Sequence, residues 1–274
     1  MRPAEVRARE GAVFGTAESP SAVVLRVYPL GGTLASARIN PGPQGNKRYS
    51  GVSGALAAGA QARLEILSAD DAGDTRVAAH QAYAALWLSL HFGGVGQRSR
   101  RGAGSLQMME LQGVDAPKPV DALDQARYRT ELEQGLMHVR GILGASTFRD
   151  IGEVGEFPIL HKNCASAWIV RLPLKLGEGI KVENREENVR LAIMNARRDL
   201  DSHQSRKMER EFGGLTPRLS SPVWVRVATI GKDFALLVVT LLRHRGAGAG
   251  ADWRNVENFV KAMDSNALPV DLGG

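Results

Sequence analysis

The twelve residues from Gly93 to Gly104 hold five glycines and three arginines. Successive glycines leave backbone N–H groups free to converge on an anion, and missing side chains let a sugar-phosphate chain approach closely. Arginine adds fixed charge and forked donors that match phosphate oxygens. The chemistry on offer is a grip on a phosphate chain, with no group placed to break one. The expected contacts are the backbone of Gly93, Gly94, Gly96, Gly102 and Gly104 and the side chains of Arg98, Arg100 and Arg101. The loop lacks the Gly-Lys-Ser/Thr ending of a nucleotide-triphosphate loop. It also lacks the spacing and the strand-to-helix context of a dinucleotide fingerprint. Residue types alone leave two readings open, a phosphate grip and a solvated surface loop.

A second basic cluster, Lys47, Arg48 and Tyr49, lies in a stretch without acids from Ser19 to Leu64. A tyrosine beside two cations can stack on an unpaired base while the cations hold phosphates. Another acid-free stretch, Thr75 to Met109, contains the glycine–arginine loop. The net charge of +6 is spread unevenly: residues 1–114 carry 12 Lys/Arg against 8 Asp/Glu, and residues 115–274 carry 23 against 21. Phosphate-facing surfaces need both the cations and the absence of carboxylates.

Other titratable groups offer less. The six histidines form no pair with metal-ligand spacing. His91, next to the loop, is the one candidate for a general base on a ribose hydroxyl; the alternative role is to anchor the loop. Cys164, the single cysteine, reads as a small buried hydrophobe and excludes an internal disulfide. Trp87, Trp168, Trp224 and Trp253 sit in apolar patterns and read as core or interface residues. No cofactor is expected, nor a membrane span, because no apolar run reaches about 18 residues.

The elements that position these residues read as follows. Ala22–Tyr28 and the alternating Gln61–Leu67 are strands, joined by a long irregular connection from Gly31 to Gly59. A helix begins after Asp74, its expected N-cap, and Gly93-Gly94 stops it by taking the left-handed cap conformation. Ser105–Leu111 reads as a strand, and the proline-bearing stretch from Gly113 to Pro119 as a domain boundary. The second part holds a helix at Val120–Leu143 and strands at Phe157–His161 and Trp168–Leu172. A charged helix over Arg185–Phe212, strands at Pro222–Ile230 and Phe234–Leu242, and a closing helix at Trp253–Met263 follow. Strand, strand, helix, strand is the last three-quarters of a β-α-β-β-α-β unit. The fold expected is therefore α+β, with two ferredoxin-like (RRM-like) domains at 1–114 and 115–274. The first is expected to lack its opening strand and helix.

The loop with its preceding aromatic-rich helix end, Leu86 to Leu106, resembles the glycine-rich loop of the RAMP superfamily, the repeat-associated RNA-binding proteins of CRISPR systems. It is most similar to that of the head subunits of type III-B Cmr effector complexes. Ala12–Glu18 resembles the family's Phe-Gly-Ser/Thr segment, Arg48–Val52 its Arg-Tyr-x-Gly element, and Arg218–Arg226 its Ser-Ser-Pro strand. Two features depart from the pattern: Ala103 stands where the family tends to carry an aromatic, and the family's opening segment has no match. The resemblance implies a non-catalytic subunit of a prokaryotic, cytoplasmic ribonucleoprotein. Its partners would be crRNA near the 3′ end, target RNA and other RAMP-type Cmr subunits. The catalytic alternative within the superfamily is a metal-independent endoribonuclease that processes crRNA, with His91 as base.

Overall fold

A helix, α1 (Pro3–Phe14), precedes the first strand, which corrects the expectation that the first domain lacks its opening helix; no hydrophobic periodicity announces it. Its charges are scattered around the cylinder, so it presents no apolar stripe. Strand β1 (Val23–Gly31) follows it. The computed structural model describes residues 3–32, 34–37, 52–56, 59–70, 72–95, 104–113, 117, 120, 122–144, 160, 162–174, 189, 193, 221–243 and 252–273. Packing divides the chain into two compact units, Met1–Tyr83 and Ala84–Gly274.

Within the first unit, β2 (Leu34–Ala37) and β3 (Val52–Leu56) pair antiparallel, Leu34 opposite Leu56. This corrects the expectation of a wholly irregular connection over Gly31–Gly59. Four or five small apolar residues are too few to show a period, and they become strands only by finding each other. Strand β4 (Gln61–Ser68) pairs with β1 from Val23↔Ser68 to Gly31↔Gln61. The alternation Ala62, Leu64, Ile66 puts these residues on one face with Leu25 and Val27 of β1. Helix α2 (Gly73–Phe92) comes next. Asp70, not Asp74, organises its start: its Oδ1 accepts from the Ala72 amide (2.9 Å) and the Thr75 hydroxyl (2.6 Å). Those bonds hold the Asp70 carboxyl below its ordinary range. The unit's core is small, built on Val13, Val23, Ala78 and Ala82.

The second unit contains α3 (Gln125–Ile142), β5 (Ala165–Pro173), β6 (Val223–Ile230), β7 (Phe234–Leu242), α4 (Arg254–Met263) and β8 (Leu268–Pro269). Asp124 caps α3 by accepting from the Arg127 amide at 2.8 Å. The strands form an antiparallel sheet in the order β6-β7-β5-β8. Val170, Leu172, Val223, Val225, Leu237 and Val239 line one face and pack with Val256, Phe259 and Val260 of α4. Val189 and Ile193, both helical and both on the stripe expected of the Arg185–Phe212 helix, join that core. The other face carries Ile169, Leu236, Val238 and Thr240, also buried. This explains the apolar run of β7, interrupted only by Thr240, in a strand covered on both sides. Asp264 ties three elements together: its Oδ2 accepts from the Arg171 amide (2.8 Å) and from Gln125 Nε2 (3.1 Å).

The α+β class expected from the sequence is the one observed. One expected strand is not: residues 105–112 carry no regular secondary structure. Ser105 and Leu106 instead bond to β6, as described below. The expected strand at Phe157–His161 lies outside the described residues apart from Leu160.

Candidate nucleic-acid interface

The end of α2 is fixed by burial. Trp87 is fully buried and stacks on His91, ring centroids 4.1 Å apart at 24°. A Cβ on Gly135 of α3 would collide with the Trp87 ring, so glycine there is what admits the indole between the two helices. Gly93 continues the α2 ladder, its amide donating to Ser89 O at 3.0 Å. It does not take the left-handed conformation expected of it. Glycine is required for a different reason: a Cβ at this position would lie 2.8 Å from Ser89 O and 3.4 Å from the Trp224 ring.

From here the chain leaves for the loop and returns at a defined point. The Val95 amide donates to Gly104 O at 3.0 Å, closing the base of the loop like the mouth of a hairpin. Gly104 has φ +69°, and a Cβ there would run into Val95 O, so both backbone conformation and space demand glycine. Directly after it, Ser105 Oγ accepts from the Val227 amide (3.0 Å), and Leu106 O accepts from Arg226 Nη2 (2.8 Å). Arg226 Nη1 donates to the Tyr128 hydroxyl on α3 at 3.0 Å. The loop exit is thereby bolted to β6, the edge strand of the four-stranded sheet. Val95, Leu106 and Met109, beside the loop, expose apolar side chains.

His91 is 2% exposed. Its Nδ1 lies 2.8 Å from Trp87 O, a carbonyl that can only accept, so Nδ1 carries the hydrogen. Burial, reinforced by the nearby Arg226 charge, pushes its pKa down to about 3 against the opposing effect of the Trp87 bond. The ring is thus neutral, stacked and shielded from any ribose. It anchors the helix end through Trp87.

Of the residues singled out in the sequence, Gly93, Gly94 and Gly104 are described, and they flank the loop at its two ends. Gly96, Arg98, Arg100, Arg101 and Gly102 lie outside the described residues, as do Lys47, Arg48 and Tyr49. Sequence reasoning assigned no role to Arg226 or Tyr128. On a strand that alternates Val223, Val225, Val227 against Trp224, Arg226, Ala228, an arginine reads as solvent-facing; only the second layer over that face shows otherwise. Among the described residues no group of His, Cys, Asp and Glu could hold a metal ion. No helix among them is long and apolar enough to cross a membrane.

Residues 4–107 match the family model of the RAMP superfamily. No curated protein matches the chain. A crystal structure of Cmr1 from Pyrococcus furiosus in its apo form superposes with a TM-score of 0.56, covering 97% of this chain and 83% of that one at 16% identity. The resemblance drawn from the loop, Ala12–Glu18 and Arg48–Val52 therefore holds over residues 4–107, Arg218–Arg226 lies outside that match, and this chain shares the fold of Cmr1.

Proposed function

We propose that this chain, with RAMP-superfamily sequence over residues 4–107 and the fold of Cmr1, is an RNA-binding, non-catalytic subunit of a type III-B Cmr effector complex. Its ligand in this reading is crRNA near the 3′ end. Target RNA and neighbouring RAMP-type subunits are its further partners, and a prokaryotic cytoplasm is its compartment. Phosphates are held by the backbone of Gly93, Gly94, Gly96, Gly102 and Gly104 and by Arg98, Arg100 and Arg101, with Lys47, Arg48 and Tyr49 assisting. In this reading the sequence domains run over 1–114 and 115–274, while packing divides the chain between Tyr83 and Ala84.

One observation carries the proposal. A loop rich in glycine and arginine is closed at its base by the Val95–Gly104 bond and pinned to the edge of a rigid sheet. A solvated loop needs no such foundation, whereas a phosphate grip gains affinity from being held in shape before its ligand arrives. Exposed Val95, Leu106 and Met109 beside it suit the unstacked bases of a single strand. The burial of His91, which keeps its ring from reaching a ribose hydroxyl, supports binding rather than cleavage.

The test is binding of a labelled single-stranded RNA across a salt series, with cleavage checked in the same samples. The protein binds with a steep salt dependence, and changing Arg98, Arg100 and Arg101 together to Ala flattens the log–log slope by roughly 2. Equal slopes for the two proteins would remove the loop from the interface, and cut RNA would reinstate the nuclease.

A further inference from the structure

Arg226 is 3% exposed, and among the described residues no carboxylate lies within ion-pair distance of it. Its Nε is buried with no hydrogen-bond acceptor. A buried guanidinium is costly when unpaired, and an apolar residue of similar volume in its place is often neutral or stabilising. The sheet does not depend on Arg226 for cohesion, because β6 and β7 are already held by a backbone ladder and the apolar core on the opposite face. What the guanidinium does is directional. One arm of the fork reaches Leu106 O, two residues past the end of the loop, and the other reaches the Tyr128 hydroxyl, which is fully buried on α3. A planar fork that spans two elements in this way fixes both position and orientation, which a lysine could not reproduce.

We infer that Arg226 is a positioning residue for the exit of the glycine–arginine stretch: it clamps Leu106 against Tyr128, with Ser105 as the second fastening, and so fixes where the chain leaves that stretch. The inference rests on the RNA-binding reading for its ligand, but not for its geometry. Arg226 itself touches no phosphate, since its side chain lies beneath the surface. Its removal therefore weakens RNA binding without changing the number of phosphates neutralised.

The experiment uses the full chain carrying Arg226→Met together with Tyr128→Phe, so that both side chains of the clamp become apolar and only the part-buried Leu106 carbonyl loses its donor. Three quantities are read: thermal midpoint, hydrogen exchange at the Val95 amide, and RNA affinity across salt. The expected result is a midpoint within a few degrees of the unaltered chain, by the compensation described above. Val95 exchange is faster by about tenfold and RNA affinity is weaker by about tenfold, each the equivalent of about one net hydrogen bond. The salt slope is unchanged. Unaltered protection at Val95 overturns the inference whatever the RNA does. A slope reduced by about 0.7 also overturns it, because that is the signature of a lost direct phosphate contact to a single strand. Failure of the unaltered chain to bind RNA counts against the proposed function, while exchange at Val95 still decides the clamp. Ser105→Ala, which removes the second fastening to the Val227 amide, provides a comparison at the same exit if the double variant does not fold.

Discussion

The two antiparallel sheets built on β1–β4 and on β6-β7-β5-β8 obey the same ladder rules and end in opposite conditions. In the larger sheet, Leu236 and Val238 on one face and Leu237 and Val239 on the other are all fully buried. In the two-stranded sheet, Leu25 is 50% and Val27 64% exposed. The strands differ in composition and in cover: β7 is apolar at every position but Thr240, whereas β1 and β4 interleave Arg26, Arg63 and Glu65, and among the described residues the small core that includes α2 reaches only Val23 and Ile66 of them. The difference teaches where a binding loop can be held to a fixed shape. The glycine–arginine loop starts and ends on the doubly covered sheet, through α2, β6 and α3, and the residues that fasten it belong to the compact unit from Ala84 onward.

The sharpest way to break this contrast is to truncate one side chain from each sheet. Leu237→Ala removes a fully buried leucine from a close-packed core and costs about 2–5 kcal/mol. Val27→Ala, at an exposed site, changes stability by about 0.5 kcal/mol or less. Urea unfolding of the two variants measures both, and comparable losses would mean that the β1–β4 face is covered after all.

A second test uses acid. The unfolded His91 takes up a proton near pH 6.5, and the folded, buried ring does so only near pH 3. Between these values the unfolded state binds more protons, so stability at this site is complete above about 6.5 and declines as pH falls toward 3. His91→Phe keeps a ring against Trp87 and removes that part of the decline. Parallel stability–pH curves for the two proteins would show that His91 is not held neutral.

The smallest effect is local. Gly104→Ala places a side chain at φ +69° and against Val95 O, and costs about 1–3 kcal/mol. The loss concentrates in faster amide exchange at Val95, with the β7 amides left protected. Uniform loss of protection across both would mean that the loop base and the sheet unfold as one.

Short-range pattern determined a good part of this molecule. Strict alternation from Gln61 to Leu67 gives β4, the apolar run from Phe234 to Leu242, interrupted only by Thr240, gives a doubly buried strand, and the i, i+3, i+4 spacing of Val256, Phe259, Val260 and Met263 gives α4. The glycine–arginine loop and its family likeness are equally local, since they are written in consecutive residues. Tertiary structure alone decided the rest. The pairing of β2 with β3, the absence of a strand over 105–112 and the burial of Arg226 and His91 each depend on residues far away in sequence. Arg226 reads as a solvent-facing residue until Tyr128, 98 positions earlier, closes over it. Gly93 reads as a helix cap until the Trp224 ring is seen beside it. Periodicity reports which side of an element is apolar. Whether a polar side chain on the other side meets water or a second layer of protein is set by long-range packing, which one-dimensional spacing does not encode.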